Sequence, residues 1–174
     1  MDLDLRWPLI LFTNLLLLWL LRMVNHSLGP YGITIFLPAL FIFLPALAFR
    51  LRWGLLLVAT TALLQSAYQP GQFGFEVLLY TIVLTVLFAN RVALRRASSW
   101  QQLWVLFLIN TSIWAATTII QGADWLGYGH YWYRSLSDLL ISTLLLFPVG
   151  AWFLRSQNSL LVIVGLNPQG RNDD

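Results

Sequence analysis

The feature that most constrains this chain is a succession of apolar stretches separated by connections too short to hold a soluble domain. Six can be drawn, approximately Trp7 to Met23, Ile33 to Phe49, Trp53 to Tyr68, Phe75 to Asn90, Trp100 to Ile120 and Ser135 to Leu154. A hydrocarbon core of about 30 Å takes about 20 residues of helix per crossing, so 174 residues hold six spans and their links and little else. Composition argues against a soluble fold: 59% of residues are hydrophobic and 10% charged, where soluble domains carry about 25% charged residues. The expected fold is therefore all-α integral membrane, a six-transmembrane-helix bundle forming one domain over residues 1–156. Residues 157–174 read as an interfacial stub followed by a polar cytoplasmic tail. The first stretch reads as a retained span, because Asp2 and Asp4 precede it, it exceeds a signal peptide's usual apolar length, and Val24-Asn25-His26-Ser27 offers no small-x-small cleavage site.

All ten basic residues are arginines, and they sit in ones, twos and threes at the ends of the apolar stretches. In a soluble chain such a balance would suggest nucleic acid; here it reports topology, since loops rich in Lys and Arg stay cytoplasmic, and no nucleic-acid partner is expected. With the N-terminus inside, Arg6, Arg50, Arg52, Arg91, Arg95, Arg96, Arg155 and Arg171 fall on the inner face, and Arg22 and Arg134 outside. The expectation is N-in/C-in, set mainly by Arg50, Arg52, Arg91, Arg95 and Arg96. One outer loop, Gln121 to Arg134, gathers Trp125, Tyr128, Tyr131, Trp132 and Tyr133, which suits an aromatic belt at headgroup depth; a ligand cage is the sharper alternative.

Chemistry is sparse. Cysteine is absent, which excludes disulfides, thiolate metal sites and cysteine nucleophiles. His26 and His130 lie in outer loops without metal-ligand spacing, and no HExxH, GxSxG, Walker or GxGxxG pattern occurs. No catalytic, metal or cofactor-binding residue is expected.

What remains is polar residues at helical spacing. Thr61, Gln65 and Gln69 recur every four residues, Glu76 and Tyr80 likewise, and Ser135, Asp138 and Ser142 follow at three and four. With the topology above, Gln65, Glu76, Tyr80, Gln121 and Asp138 share the outer third of the membrane and form a candidate polar cluster. It reads as interhelical bonding, as a small-ligand pocket or as a partner contact. Asp138, one turn inside the last span, has Arg134, Gln65, Tyr80 and Gln121 as candidate partners. Asn14, a lone polar residue in the middle of the first stretch, reads as an interhelical bond rather than a ligand site, and Ala62 with Ser66, like Ser112 with Ala116, as close-packing pairs. Pro38 and Pro45 remove backbone donors from the second stretch, which should make it short, irregular and packed against protein.

The order of these features resembles the MreD family of rod shape-determining membrane proteins. Pro38-Ala39-Leu40 opens the second stretch, Arg52-Trp53-Gly54 forms a basic turn, Gln65 to Gly74 covers the end of a long apolar helix and a glycine-bearing loop, and Arg91 to Arg96 supplies an arginine cluster. The resemblance covers about residues 7–156; Ala39 and Gln65 stand where the family often carries acids, so any role of those acids does not transfer. It implies a non-enzymatic subunit of the cell wall elongation complex in the bacterial inner membrane. It also implies an MreC-like bitopic partner and, through it, a RodA-type glycosyltransferase and a penicillin-binding transpeptidase. The family fold looks like the substrate-binding subunits of energy-coupling-factor vitamin transporters, which makes such a subunit the alternative function. Those subunits dock through an Ala-xxx-Ala pattern in their first helix, whereas the first stretch here contains no alanine.

Overall fold

The computed structural model describes residues 6–67, 74–123 and 127–163. In chain order they form α1 (Arg6–Leu28), a single 3-10 turn (Gly29–Tyr31), α2 (Pro38–Ala48), α3 (Leu51–Ser66), α4 (Phe75–Ala89), α5 (Arg91–Arg96), α6 (Ser99–Gln121) and α7 (Gly129–Ile163). Among the described residues there is no strand. Three segments, Arg6–Tyr31, Ser99–Ile120 and Gly129–Gln157, are long and apolar enough to cross a membrane, and α2 and α4 are shorter apolar helices.

The organising element is α2. Its sequence, PALFIFLPALA, carries no polar side chain, and ten of its 11 residues are buried; a helix apolar all round belongs in the centre of a protein. The helices α3, α4, α5, α6 and α7 all pack on it. Gly54 lets α3 cross closely, because a Cβ there would sit 3.3 Å from the Pro45 carbonyl oxygen. Outward faces stay apolar, as the exposed Leu78, Ile82 and Val86 of α4 illustrate.

The second stretch is short and protein-packed, as its prolines imply. Pro38 occupies the first turn of α2, where a missing N–H costs nothing. Pro45 lies inside the helix, so the Phe41 carbonyl four residues back loses its usual donor. Asn14 of α1, fully buried, supplies one: its Nδ2 donates to Phe41 O at 3.5 Å. Gln157 of α7 extends the arrangement, donating from Nε2 to Thr13 Oγ1 at 2.8 Å and to Asn14 Oδ1 at 3.2 Å. The Asn14 reading from sequence holds, with a backbone carbonyl and a second amide as its partners.

The α7 helix corrects one boundary. Residues 157–163, read from sequence as the start of a separate stub, continue α7, and Gln157 is 1% exposed. Its amide is what holds the helix to α1 at that point. Residues 164–174, the expected tail, lie outside the described residues.

Arg6, Arg50, Arg52 and the Arg91–Arg96 helix gather at one end. Arg95 donates through Nε to Leu47 O at 3.1 Å and through a terminal nitrogen to the same oxygen, which places a cation on the C-terminal carbonyls of α2. Burial first, and then the neighbouring charges of Arg91 and Arg6, push the Arg95 pKa down. Arg6 lies over the Phe49 ring at 5.7 Å, Arg91 over Phe88 at 4.2 Å, and Trp7 meets Trp53 at 6.4 Å. Arg50 and Arg52 flank the start of α3 at this same end. Next along the chain, α6 begins at a capping box in which Ser98 Oγ accepts from the Gln101 amide and Gln101 Oε1 accepts from the Ser98 amide.

The Asn14–Phe41 contact gives a direct test. Asn14→Ala should lower stability in detergent by about 1–3 kcal/mol, the cost of leaving buried polar groups without partners. Pro45→Ala restores a donor for Phe41 O, so the double variant should recover part of that loss. Strict additivity in chemical unfolding would show that the proline and the asparagine are not coupled.

Candidate functional site

The predicted polar cluster separates into two places. Glu76, Tyr80, Gln65 and Ser66 lie on the α3–α4 interface, where Ser66 Oγ donates to Glu76 Oε2 at 3.1 Å. Glu76 is 2% exposed and sits in the first turn of α4, where the helix dipole favours a negative charge. Tyr80 is fully buried. By geometry the Tyr80 hydroxyl and Gln65 Oε1 both lack a hydrogen-bond partner among the described residues. Ala62 and Ser66 are buried together in this helix, as the close-packing pair suggested; Ser112 is exposed and bonds to Leu108 O of its own helix at 2.8 Å.

Asp138, also of the expected cluster, bonds to the backbone of Thr34, its Oδ1 accepting the Thr34 amide at 2.8 Å. The Gln121 side chain lies outside the described residues, as do Gln69 and Trp125.

Asp138 instead belongs to a set of side chains that holds the non-helical residues 33–37 between the 3-10 turn and α2. Asn25 of α1 grips Ile35 twice, Oδ1 accepting from its amide at 2.8 Å and Nδ2 donating to its carbonyl at 2.9 Å. Ser142 Oγ of α7 accepts the Phe36 amide at 2.9 Å, and Asn110 Nδ2 of α6 donates to the Phe36 carbonyl at 3.1 Å. Ser135, the remaining member of the α7 stripe, pairs with Thr118 Oγ1 at 3.2 Å. Sequence reasoning found the α7 stripe but missed Asn25 and Asn110. The available signal was that Asn110, like Asn14, is a carboxamide in the middle of a long apolar stretch; its target, a stretch of backbone, has no sequence signature.

In the aromatic segment that leads into α7, Tyr131 is anchored to α6. Tyr131 donates to the Thr118 carbonyl at 2.8 Å and covers Gly122, where a Cβ would fall 1.8 Å from the Tyr131 hydroxyl. Tyr131 and Trp132 stack edge-on at 6.0 Å.

Beside the gripped stretch lies a cleft of about 250 Å³, walled by one face of α1 (Leu18, Leu21, Arg22, Asn25), by residues 34–38 with Phe41, and by Gln65. No group of His, Cys, Asp and Glu able to hold a metal occurs among the described residues. Compared with protein-family models, with curated proteins and with solved structures, the chain matches none.

Two outcomes follow from these contacts. Asn25→Leu removes two bonds to partly buried backbone and Ser142→Ala one, so each should destabilise, by about 2–4 and 1–2 kcal/mol, and raise amide exchange at Ile35 and Phe36 respectively. Asp138→Asn, which keeps an acceptor for Thr34, should be milder than Asp138→Leu; equal effects would remove Thr34 as the relevant partner. Tyr80→Phe deletes a buried hydroxyl without a partner and should leave stability unchanged or higher. A loss above about 1 kcal/mol in thermal unfolding would mean the hydroxyl is bonded after all.

Proposed function

We propose that this chain is a non-enzymatic, partner-binding subunit of the cell wall elongation complex in the bacterial inner membrane, acting as MreD-like proteins do through an MreC-like bitopic partner. The observation that carries the reading is the position of the basic turn and the arginine cluster. Arg50 and Arg52 on one side and Arg91 to Arg96 on the other close the same end of the bundle, with Arg95 bonded to the last turn of α2. That order and placement are what the sequence resemblance requires of an N-in/C-in protein.

Six crossings then need the second one to be composite. The 11 residues of α2 rise about 16 Å, and residues 33–37 add at most about 18 Å, together enough for a core of about 30 Å. The side-chain grip on residues 33–37 supports such a span, because non-helical backbone at membrane depth needs protein partners. Polar side chains directed to backbone, and apolar ridges such as Leu78, Ile82 and Val86 facing outward, fit a packing and docking role.

Reporter fusions at Arg96 and Asn172 should score cytoplasmic and one at Tyr128 periplasmic. Depletion in the native host should round or widen the cells and reduce recovery of the MreC-like protein in pull-downs. Normal shape with defective vitamin uptake would replace this reading with the energy-coupling-factor-type alternative, and an external signal at Arg96 would overturn the topology.

A further inference from the structure

We propose that the arginine-rich end of the bundle binds anionic phospholipid headgroups, phosphate diesters without an ammonium of their own, through Arg50, Arg52, Arg91, Arg95 and Arg96. These charges come from separate elements and converge on one place. Arg50 and Arg52 flank Leu51, the first residue of α3, just beyond the end of α2. Arg95 reaches the same turn from α5 and bonds to Leu47 O. Burial first, then Arg91 and Arg6, lower its pKa, so those cations stand within electrostatic reach of one another. Arg6 adds its charge from α1, over the Phe49 ring. Among the described residues no acid stands at this end, because the described acids are Glu76 and Asp138. Glu76 opens the 15-residue α4 at the end away from Arg91, about 22 Å along its axis. Asp138 bonds to Thr34, beyond the opposite end of α2.

The tryptophans identify the source of the anion. Arg6 is followed by Trp7 and Arg52 by Trp53, Trp100 comes four residues after Arg96, and Trp152 three before Arg155. All four belong to this end: Trp7 meets Trp53 at 6.4 Å, Gln102 ties the start of α6 to Leu94 O of α5 at 3.2 Å, and Leu154 packs with Trp7 and Phe49. Trp100 and Trp152 are 61% and 60% exposed. An indole so placed sits where hydrocarbon meets headgroups, and a neighbouring arginine extends its longer side chain outward to phosphate depth. Guanidinium holds phosphate through two parallel N–H bonds. A zwitterionic headgroup would bring another cation into this crowd of cations, so phosphatidylglycerol is preferred to phosphatidylcholine. The proposal needs a bilayer around the chain but not the partner-binding reading.

The test is native mass spectrometry of the full-length protein released from nanodiscs of equimolar phosphatidylglycerol and phosphatidylcholine, with thermal shift in detergent on adding either lipid, inorganic phosphate or polyglutamate. The wild type should retain phosphatidylglycerol at least fivefold over phosphatidylcholine. An arginine near an anionic surface contributes about fivefold, so Arg50→Gln with Arg52→Gln should bring the ratio close to parity, as should Arg91→Gln with Arg96→Gln. Lysine at the same pairs should keep most of the preference, and Arg134→Gln, at the other end, should keep all of it. Arg95 stays intact in every variant because it holds α2. Equal retention of both lipids by the wild type, or an unchanged ratio in both glutamine pairs, overturns the proposal. A thermal shift with inorganic phosphate or polyglutamate and none with phosphatidylglycerol also overturns it, assigning the face to a soluble anion or an acidic protein. So does selectivity that appears only with Asp2→Asn, Asp4→Asn, Asp173→Asn and Asp174→Asn combined, which would make the chain's own termini the occupant. If one glutamine pair does not elute as folded protein, the other decides.

Discussion

The arrangement depends on one constraint: backbone N–H and C=O groups shut away from water must find partners within the protein. Two places in this chain violate the usual helical solution. Residues 33–37 form no helix, and Pro45 breaks the hydrogen-bond ladder of α2 from inside. Several polar side chains with long-range partners answer one of these defects. Asn25, Asp138, Ser142 and Asn110 serve the first, and Asn14, backed by Gln157, serves the second. Because these side chains come from α1, α6 and α7, repairing the second stretch also fixes how three long helices stand around it.

The buried helix thereby acquires two unlike ends. Its C-terminal carbonyls meet Arg95, at the pole where a cation is favoured. Its N-terminal end starts on a proline, lacks a cap and borders the cleft that contains Arg22. A segment of 11 apolar residues thus connects an arginine-rich face to a polar, partly open one. The aromatic rings follow the same division, with Trp7 and Trp53 paired at the first end and Tyr131 and Trp132 at the second.

Much of this was legible in the residues. Apolar length and arginine placement indicated a helical membrane chain, Pro38 and Pro45 indicated a short buried second segment, and Asn14 indicated bonding between helices. The polar stripes were read correctly as faces but not as to what those faces meet. Helical periodicity says which residues of one helix share a side; it does not say which other element lies opposite. Asp138 and Glu76 carry similar signals in sequence, an acid near the end of an apolar run. One ended on the amide of Thr34 and the other on the Ser66 hydroxyl. The continuation of α7 through residues 157–163 was hidden for a related reason: Gln157 looked like the start of a polar tail until Thr13 and Asn14 stood beside it.

The two walls around residues 33–37 are unequal, and that inequality bears on function. On the α6–α7 side the backbone of Thr34 and Phe36 is bound by Asp138, Ser142 and Asn110, and α6 and α7 are further joined through Thr118 and Ser135. On the α1 side Asn25 makes two hydrogen bonds to this stretch, both to Ile35. Between that contact and the buried Asn14, the α1 face at Leu18, Leu21 and Arg22 borders the cleft rather than a packed neighbour. Close packing makes interiors resist small displacements, whereas a helix that borders a void can shift there without forcing a neighbouring side chain to move. The α1 half of the bundle is therefore where an occupant can change the structure most easily, and the α6–α7 half is the fixed frame against which such a change is felt.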